Sequence, residues 1–422
     1  MTSDRSIENA YAQAREQYAG FGVDTEAALK ALSALSLSLQ CWQGDDVIGF
    51  EQIGESVSSG GIQATGGYPG RARTAEELRA DLEKALALIP GSHRVNLHAM
   101  YGDFAGTRVD RDEIRPEHYA GWISWAKQKR IGLDFNATCF AHPKANSGYT
   151  LSSPDKGIRT FWIEHVRRCR EISAHLGREI GKVCIHDLWI PDGSKDLTVS
   201  RSRLRGLLKE SLDEVYARPL PRTEMKDAVE SKLFGIGSES FVVGSHEFYL
   251  SYVRGKDLML CMDMGHFHPT ESVADKVSAL LPFVDEILIH VSRGVRWDSD
   301  HVVILNDDLR SLAEEIVRAG ALQRIHLALD YFDASINRVG AWVIGARSTL
   351  KAVLAALLEP SRRLQDYEAA GNGFGRLALL EEAKTLPMGW IWDYYCLRND
   401  VPTGESWIHA IDRYEAEVLK GR

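Results

Sequence analysis

A chain of 422 residues, 44% of them apolar and 26% charged, has ordinary globular composition and material for a large core, which excludes a disordered or collagen-like protein. Its 59 acidic and 50 basic side chains leave a formal charge of −9, which speaks against a general affinity for nucleic-acid backbones. No apolar run approaches the roughly 18 to 20 residues that cross a bilayer, and the polar N-terminus lacks the apolar core of a signal peptide.

Residues 1–34 read as a helical segment. From residue 35 onward, short apolar runs alternate with helices. The runs are 35–42, 95–98, 131–136, 183–189, 227–232, 258–263, 287–291 and 325–332. Their near-continuous apolar character is that of parallel strands covered on both sides. After the first run, residues 60–70 (GGIQATGGYPG) are glycine-rich with no basic residue before Arg71. That suits a lid or a flexible subunit contact better than a phosphate cradle. The helix expected over 74–88 opens on Thr74 with Glu77 three positions on, the capping-box spacing. Stretches 116–129, 160–176, 202–217, 273–283 and 307–319 share its helical character, the last with Asp307 and Asp308 in its first turn. Residues 235–240 (GIGSES) imitate a dinucleotide loop, but Ser240 stands where the third glycine belongs.

This serial β-α pattern predicts an α/β fold, a (β/α)8 TIM barrel over 35–357, with a doubly wound sheet as its rival. Residues 341–358 would close the barrel. Residues 358–422 predict a helical C-terminal extension, with helices at 377–384, 389–397 and 404–419 after a glycine-rich joint at 371–375. Trp390, Trp392, Tyr394, Tyr395 and Trp407 make it dense in aromatics, as either a cap on the barrel or a subunit contact. Cys41, Cys139, Cys169, Cys184, Cys261 and Cys396 form no CxxC or metal-knuckle pair, so a reduced, cytoplasmic setting is expected.

A β/α barrel places its chemistry at the C-terminal ends of the strands. Those ends carry Trp42 and Gln43, His98, Asn136, Asp187 and Trp189, Glu230 and Lys232, Asp263, His290, and Asp330. Strand interiors otherwise avoid charge, because an unpaired buried carboxylate costs several kcal/mol. His266 lies three residues past Asp263, and the loop after the seventh run adds Asp298 and Asp300. Glu230, Asp263, His266, His290, Asp298, Asp300 and Asp330 make five carboxylates and two imidazoles without a thiolate. Such a set favours Mn²⁺, Mg²⁺ or Co²⁺ over a structural zinc, and seven ligands suit two ions sharing a carboxylate. Taken singly, Asp298 and Asp300 would be a solvated turn and His266 a loop histidine, with His268 competing for its place. His301 would orient a neighbouring Asp, His326 would be a core histidine, and Asp333 a helix cap. The joint pattern outweighs each of these.

Eight blocks resemble the L-rhamnose isomerase family, of the larger bacterial type among xylose-isomerase-like barrels. They are CWQGDD (41–46), GGIQATGGYPG (60–70), NLHA (96–99), WIPDG (189–193), AVESKLFGIG (228–237), GHFHPTE (265–271), HVSRGVRWDSDHVV (290–303) and LDYFDASINR (329–338). The resemblance implies conversion of L-rhamnose to L-rhamnulose in sugar catabolism, by a metal-assisted 1,2-hydride shift rather than an ene-diol. It implies two Mn²⁺ ions per subunit, with Co²⁺ or Zn²⁺ as substitutes. Glu230, Asp263, His290 and Asp330 would hold a structural ion. His266, Asp298 and Asp300 would hold a catalytic one, bridged by Glu230 or Asp263. Lys232, Asp330 and His98 would be the catalytic residues, with His98, Lys232, Trp189 and Phe332 against the sugar. It further implies a homotetramer with a small-molecule sugar as its only other partner, neither nucleic acid nor membrane. The family often has Asn where this chain has Asp187, so an added carboxylate alters the local charge. Another aldose isomerase or a metal-dependent phosphoesterase on the same barrel is the alternative.

Overall fold

The computed structural model describes residues 3–41, 49–51, 68–234, 237–295, 300–332 and 335–422. Eight short parallel strands close on themselves. They are β1 (Ser38–Gln40), β2 (Arg94–His98), β3 (Gly132–Asn136), β4 (Cys184–Leu188), β5 (Met225–Glu230), β6 (Met259–Asp263), β7 (Ile287–Val291) and β8 (Ile325–Leu329). A closed barrel replaces the rival open sheet. Along each strand, side chains of one parity, such as Val95, Leu97, Phe135, Leu260, Ile289 and Leu327, join the large core beneath the helices. The opposite parity supplies Ile185, Ala228, Met259, Cys261, Leu288 and Ala328, a separate cluster that fills the barrel centre.

Residues 1–34 hold two helices, α1 (Asp4–Gly20) and α2 (Thr25–Ser33), capped by Ser3 and Asp24. Around the barrel run α3 (Ala75–Leu86), α4 (Ala120–Lys129), α5 (Lys156–Ile180), α6 (Arg201–Val215), α7 (His246–Val253), α8 (Ala274–Leu280), α9 (Asp307–Arg318) and α10 (Arg338–Leu357). The Thr74 hydroxyl accepts from the Glu77 N–H at 3.2 Å, as the capping spacing predicted. Helix α7 was not foreseen, because HEFYLSYV is rich in aromatics that also favour strands. Helix α10 has the length and hydropathy of a membrane span, yet 78% of its most apolar window is buried inside the protein. Then follow α11 (Ser361–Ala369), which the sequence reading lacked, α12 (Gly373–Ala383), α13 (Met388–Arg398) and α14 (Ser406–Glu417). Helix α1 packs on α13, where Tyr11 and Tyr394 stack at 3.8 Å.

Three differences from the sequence reading bear on the site. Strand β5 ends at Glu230, so Lys232 sits in the connection beyond it. Strand β1 ends at Gln40, and Trp42 and Gln43 lie outside the described residues. Charge also enters strand interiors, each time with a partner. Asp134 accepts from the Arg94 guanidinium at 2.9 and 2.7 Å and from the Ser38 hydroxyl at 2.6 Å. On the outer face, Asp227 of β5 accepts from Arg170 of α5 at 2.9 to 3.1 Å and sits 3.0 Å from the His186 imidazole of β4. Arg170 also donates to the Val215 and Arg218 carbonyls, so one guanidinium ties α5, strand β5 and the end of α6 together.

Removing one member of a buried pair strands the other without water. Asp227→Ala is therefore expected to cost about 3 to 5 kcal/mol, read as a lower denaturant midpoint. Arg170→Met with Asp227→Leu should cost less than Asp227→Ala alone.

Candidate active site

The inward parity that fills the barrel with Ile185, Ala228, Cys261, Leu288 and Ala328 continues, two residues on, to Asp187, Glu230, Asp263, His290 and Asp330. The pleat that builds the core thus delivers four carboxylates and an imidazole to one end of the barrel. His290 Nδ1 lies 3.3 Å from Asp330 Oδ2, 3.4 Å from Glu230 Oε1 and 3.6 Å from Asp263 Oδ2. These are the four residues that the resemblance assigned to one ion, and the fold brings them together.

His266 and Asp300 form a second lobe against Glu230. The His266 Nδ1 faces the Ser231 carbonyl at 2.9 Å and Glu230 Oε1 at 3.0 Å, while its Nε2 points at Asp300 Oδ2 from 3.4 Å. With the proton on Nδ1 for the carbonyl, Nε2 keeps its lone pair for a cation. The backbone at Asp300 and His301 is held on two sides. Arg293 and His301 exchange backbone hydrogen bonds at 3.0 and 3.2 Å, and the Phe332 N–H donates to the Asp300 carbonyl at 3.0 Å. Asp298 and Asp333 lie outside the described residues. Asp263 Oδ1 is occupied by the Gly265 N–H (2.6 Å) and the Ser292 hydroxyl (2.5 Å), which turns Oδ2 toward the cluster.

The cluster fits divalent cations. Glu230 Oε1, Asp263 Oδ2, Asp187 Oδ1, Asp300 Oδ1 and both His290 nitrogens are buried with no hydrogen-bond partner among the described residues. Asp187, Glu230, Cys261 and His290 offer ligand atoms within 4.8 Å of one another, and so do Glu230, Asp263 and His266, and Asp263, His290 and Asp330. Burial drives the Asp187 and Asp263 carboxyls well above the carboxylate range, reinforced by Glu230 beside one and Asp300 beside the other. Burial opposes charge on Glu230 too, but His290 and His266 outweigh it and hold its carboxyl low. The protein alone cannot keep all these carboxylates charged. Oxygen-rich donors with a minority of nitrogen suit a hard divalent ion.

Asp187 is a member of the cluster rather than a bystander. Cys261 was missed: the sequence reading saw no thiol here, although Cys261 precedes Asp263 by two residues and so shares its face. Burial pushes its thiol far above the usual range, so it stays neutral. The competing histidines lie elsewhere. His268 is exposed and bonded to Thr270 at 2.7 Å, and His326 faces Glu286 at 2.7 Å near the opposite end of the barrel.

Strands β2 to β4 supply the facing wall. His98 closes β2, with its Nδ1 3.4 Å from the Thr138 hydroxyl and its ring edge-on to Phe140 at 6.0 Å. Burial, with the nearby His290 charge, holds His98 well below the usual imidazole range, so it is neutral. Phe140 meets Trp189 edge-on at 5.7 Å, and the Lys232 ammonium lies 5.1 Å from the centre of the Trp189 ring. Phe332 is partly buried beyond β8. A cavity of about 380 Å³ lined by Arg170, Arg222, Lys226 and Asp227 opens near the strands' N-terminal ends, but its cations are already paired with carboxylates.

The family model described as L-rhamnose isomerase (RhaA) matches residues 5–422. An L-rhamnose isomerase of Bacteroides thetaiotaomicron is 56% identical over 422 residues, all of both chains. One of Rhodopirellula baltica is 54% identical over 99% of this chain and 97% of its own. One of Pectobacterium atrosepticum is 54% identical over 99% of each. Among solved structures, a D-tagatose 3-epimerase-like protein aligns at 13% identity with a TM-score of 0.45, over 62% of this chain and 89% of that one.

Chelation of divalent ions is expected to lower the thermal midpoint by roughly 3 °C for each site emptied, since a site filled at 100 times its Kd contributes about 2.7 kcal/mol. Mn²⁺ or Co²⁺, but not Na⁺, should restore it. An unchanged midpoint would argue against cations in the cluster.

Proposed function

The chain belongs to the L-rhamnose isomerase family, and on that premise we propose that it interconverts L-rhamnose and L-rhamnulose, the C2 hydrogen passing to C1 as a hydride. The observation that carries this reading is the buried cluster of Glu230, Asp263, His266, His290, Asp300 and Asp330 at the strand ends of a chain matched by that family model over residues 5–422. Divalent cations bound there, Mn²⁺ with Co²⁺ or Zn²⁺ as substitutes, would polarise the C1 carbonyl and acidify the C2 hydroxyl. Glu230, Asp263, His290 and Asp330 would hold one, and His266, Asp300 and Asp298 the other.

The protein's own groups orient the sugar. Lys232 brings an ammonium, braced on the Trp189 face, to the oxygen on which negative charge develops. Neutral His98 exchanges hydrogen bonds with sugar hydroxyls without adding charge. Trp189 and Phe332 cover the apolar side of the sugar. Asp330 stands 3.3 Å from His290 at the mouth, where it serves both cation and substrate. The hydride route is supported by the commitment of most mouth carboxylates to the cation cluster, which disfavours a carboxylate base at C2.

We place the chain in a reduced, cytoplasmic compartment, because all six cysteines are buried free thiols. We assign it a homotetramer, supported by Phe374, Leu377, Trp390 and Ile408, which leave apolar surface exposed on α12 to α14.

L-rhamnose deuterated at C2 and turned over in ordinary water should yield L-rhamnulose that keeps its label at C1. Complete washout would instead establish a proton-transfer route. Lys232→Met is expected to lower kcat by about 10²- to 10³-fold while the chain still binds its metal ions.

A further inference from the structure

We infer that the buried Glu51–Arg111 ion pair is a positioning device for the sugar-facing wall. The inference rests on the isomerase reading, because its consequence is felt at the sugar. Neither residue emerged from the sequence, since both lie in loops away from any strand end.

Arg111 uses all five of its N–H donors. Nε donates to Glu51 Oε1 at 3.1 Å and Nη2 to Glu51 Oε2 at 2.9 Å, a fork-on-fork pair. Nη1 donates to the Thr138 carbonyl at 2.5 Å and to the Phe140 carbonyl, and Nη2 also to the Ala141 carbonyl at 3.2 Å. One side chain, 1% exposed, therefore joins the loop after β1 to three carbonyls of the loop after β3. Glu51 is itself held in place. Phe50 donates to the Met100 carbonyl at 2.8 Å, and Gly49 packs so closely that a Cβ there would lie 2.4 Å from the same oxygen.

Two observations show that the β3 loop is held rather than merely touched. Ala141 has φ +49°, a left-handed conformation that a non-glycine residue keeps only when its surroundings impose it. His165 of α5 bridges the β3 loop to the backbone of Arg111 in the loop after β2. Its Nε2 accepts the Thr138 N–H at 3.0 Å, so Nδ1 carries the proton and donates to the Arg111 carbonyl at 3.0 Å. Burial and the Arg111 charge push this imidazole down to about 3, which keeps that tautomer neutral at physiological pH.

The held loop is the one that shapes the wall. Its Thr138 hydroxyl lies 3.4 Å from His98 Nδ1, and its Phe140 packs edge-on between His98 and Trp189. The hydrogen bonds of the pair reach this wall and not the cation cluster, whose members are Asp187 at the end of β4 and residues of β5 to β8 and the loops after them. Disturbing the pair should therefore loosen sugar binding and leave ion binding intact.

The test compares Glu51→Gln, Arg111→Met and the double variant with the wild type, measuring KM and kcat on L-rhamnose and Mn²⁺ bound per chain. KM is expected to rise roughly tenfold in each, with kcat changed by less and bound Mn²⁺ unchanged. The double variant should be no worse than Arg111→Met, because both substitutions break one device. Glu51→Gln keeps the shape and an acceptor, so it decides the matter if Arg111→Met does not fold. An unchanged KM in folded Glu51→Gln would overturn the inference. So would a parallel fall of kcat, ion binding and stability without a selective rise in KM, which marks a general structural role. A wild-type chain inert on L-rhamnose would fail the isomerase reading instead, and the two failures are distinct.

Discussion

Packing carboxylates together away from water is the constraint on which the rest of this structure depends. Asp187, Glu230, Asp263 and Asp330 converge on one imidazole, all but Asp330 essentially buried, and Asp187 Oδ1 and Asp263 Oδ2 accept no hydrogen bond among the described residues. Like charges this close leave two options, protonation or a shared cation. An apolar barrel mouth would be cheaper to build. That the chain builds this one identifies the mouth as its functional end, and the orientation of Asp263 by Gly265 and Ser292 fits a ligand aimed at an ion.

The barrel divides its labour around that constraint. Asp187 at the end of β4 and strands β5 to β8 with their loops bring charge, and the ends of β2 to β4 with the loops after them also bring a neutral wall of His98, Phe140 and Trp189. Lys232 stands where the two meet, its ammonium over the Trp189 ring. Keeping His98 neutral matters in this arrangement, because a second cation there would compete with the ions for the same carboxylates. The buried Glu51–Arg111 pair stiffens the neutral side with directed hydrogen bonds, much as the carboxylates stiffen the charged side by needing a common ion.

Much of this was legible in the sequence for one physical reason. A strand's side-chain period is two, so an apolar run ending in Asp263, His290 or Asp330 announces both the strand and the residue at its open end. The same rule, applied one step back, would have found Cys261. Other features were not legible because they depend on pairing between distant elements. Asp227 and Asp134 are tolerated in strand interiors because Arg170 and Arg94 lie beside them, pairings that no periodicity announces. Arg111 and Glu51 lie 60 positions apart in loops with no periodic signal. Lys232 moved out of its strand because β5 begins at Met225, with charged Lys226 and Asp227 inside it.

A cation site and a proton store built from the same mouth carboxylates differ in what they bind. Equilibrium dialysis of metal-stripped chain against Mn²⁺, for the wild type and Glu230→Gln, tests the cation site most directly, because Glu230 touches both lobes. Two bound ions per wild-type chain and fewer than one for the variant are expected at the same free Mn²⁺. A wild-type chain that binds none, or a variant that keeps both, would contradict the cation site.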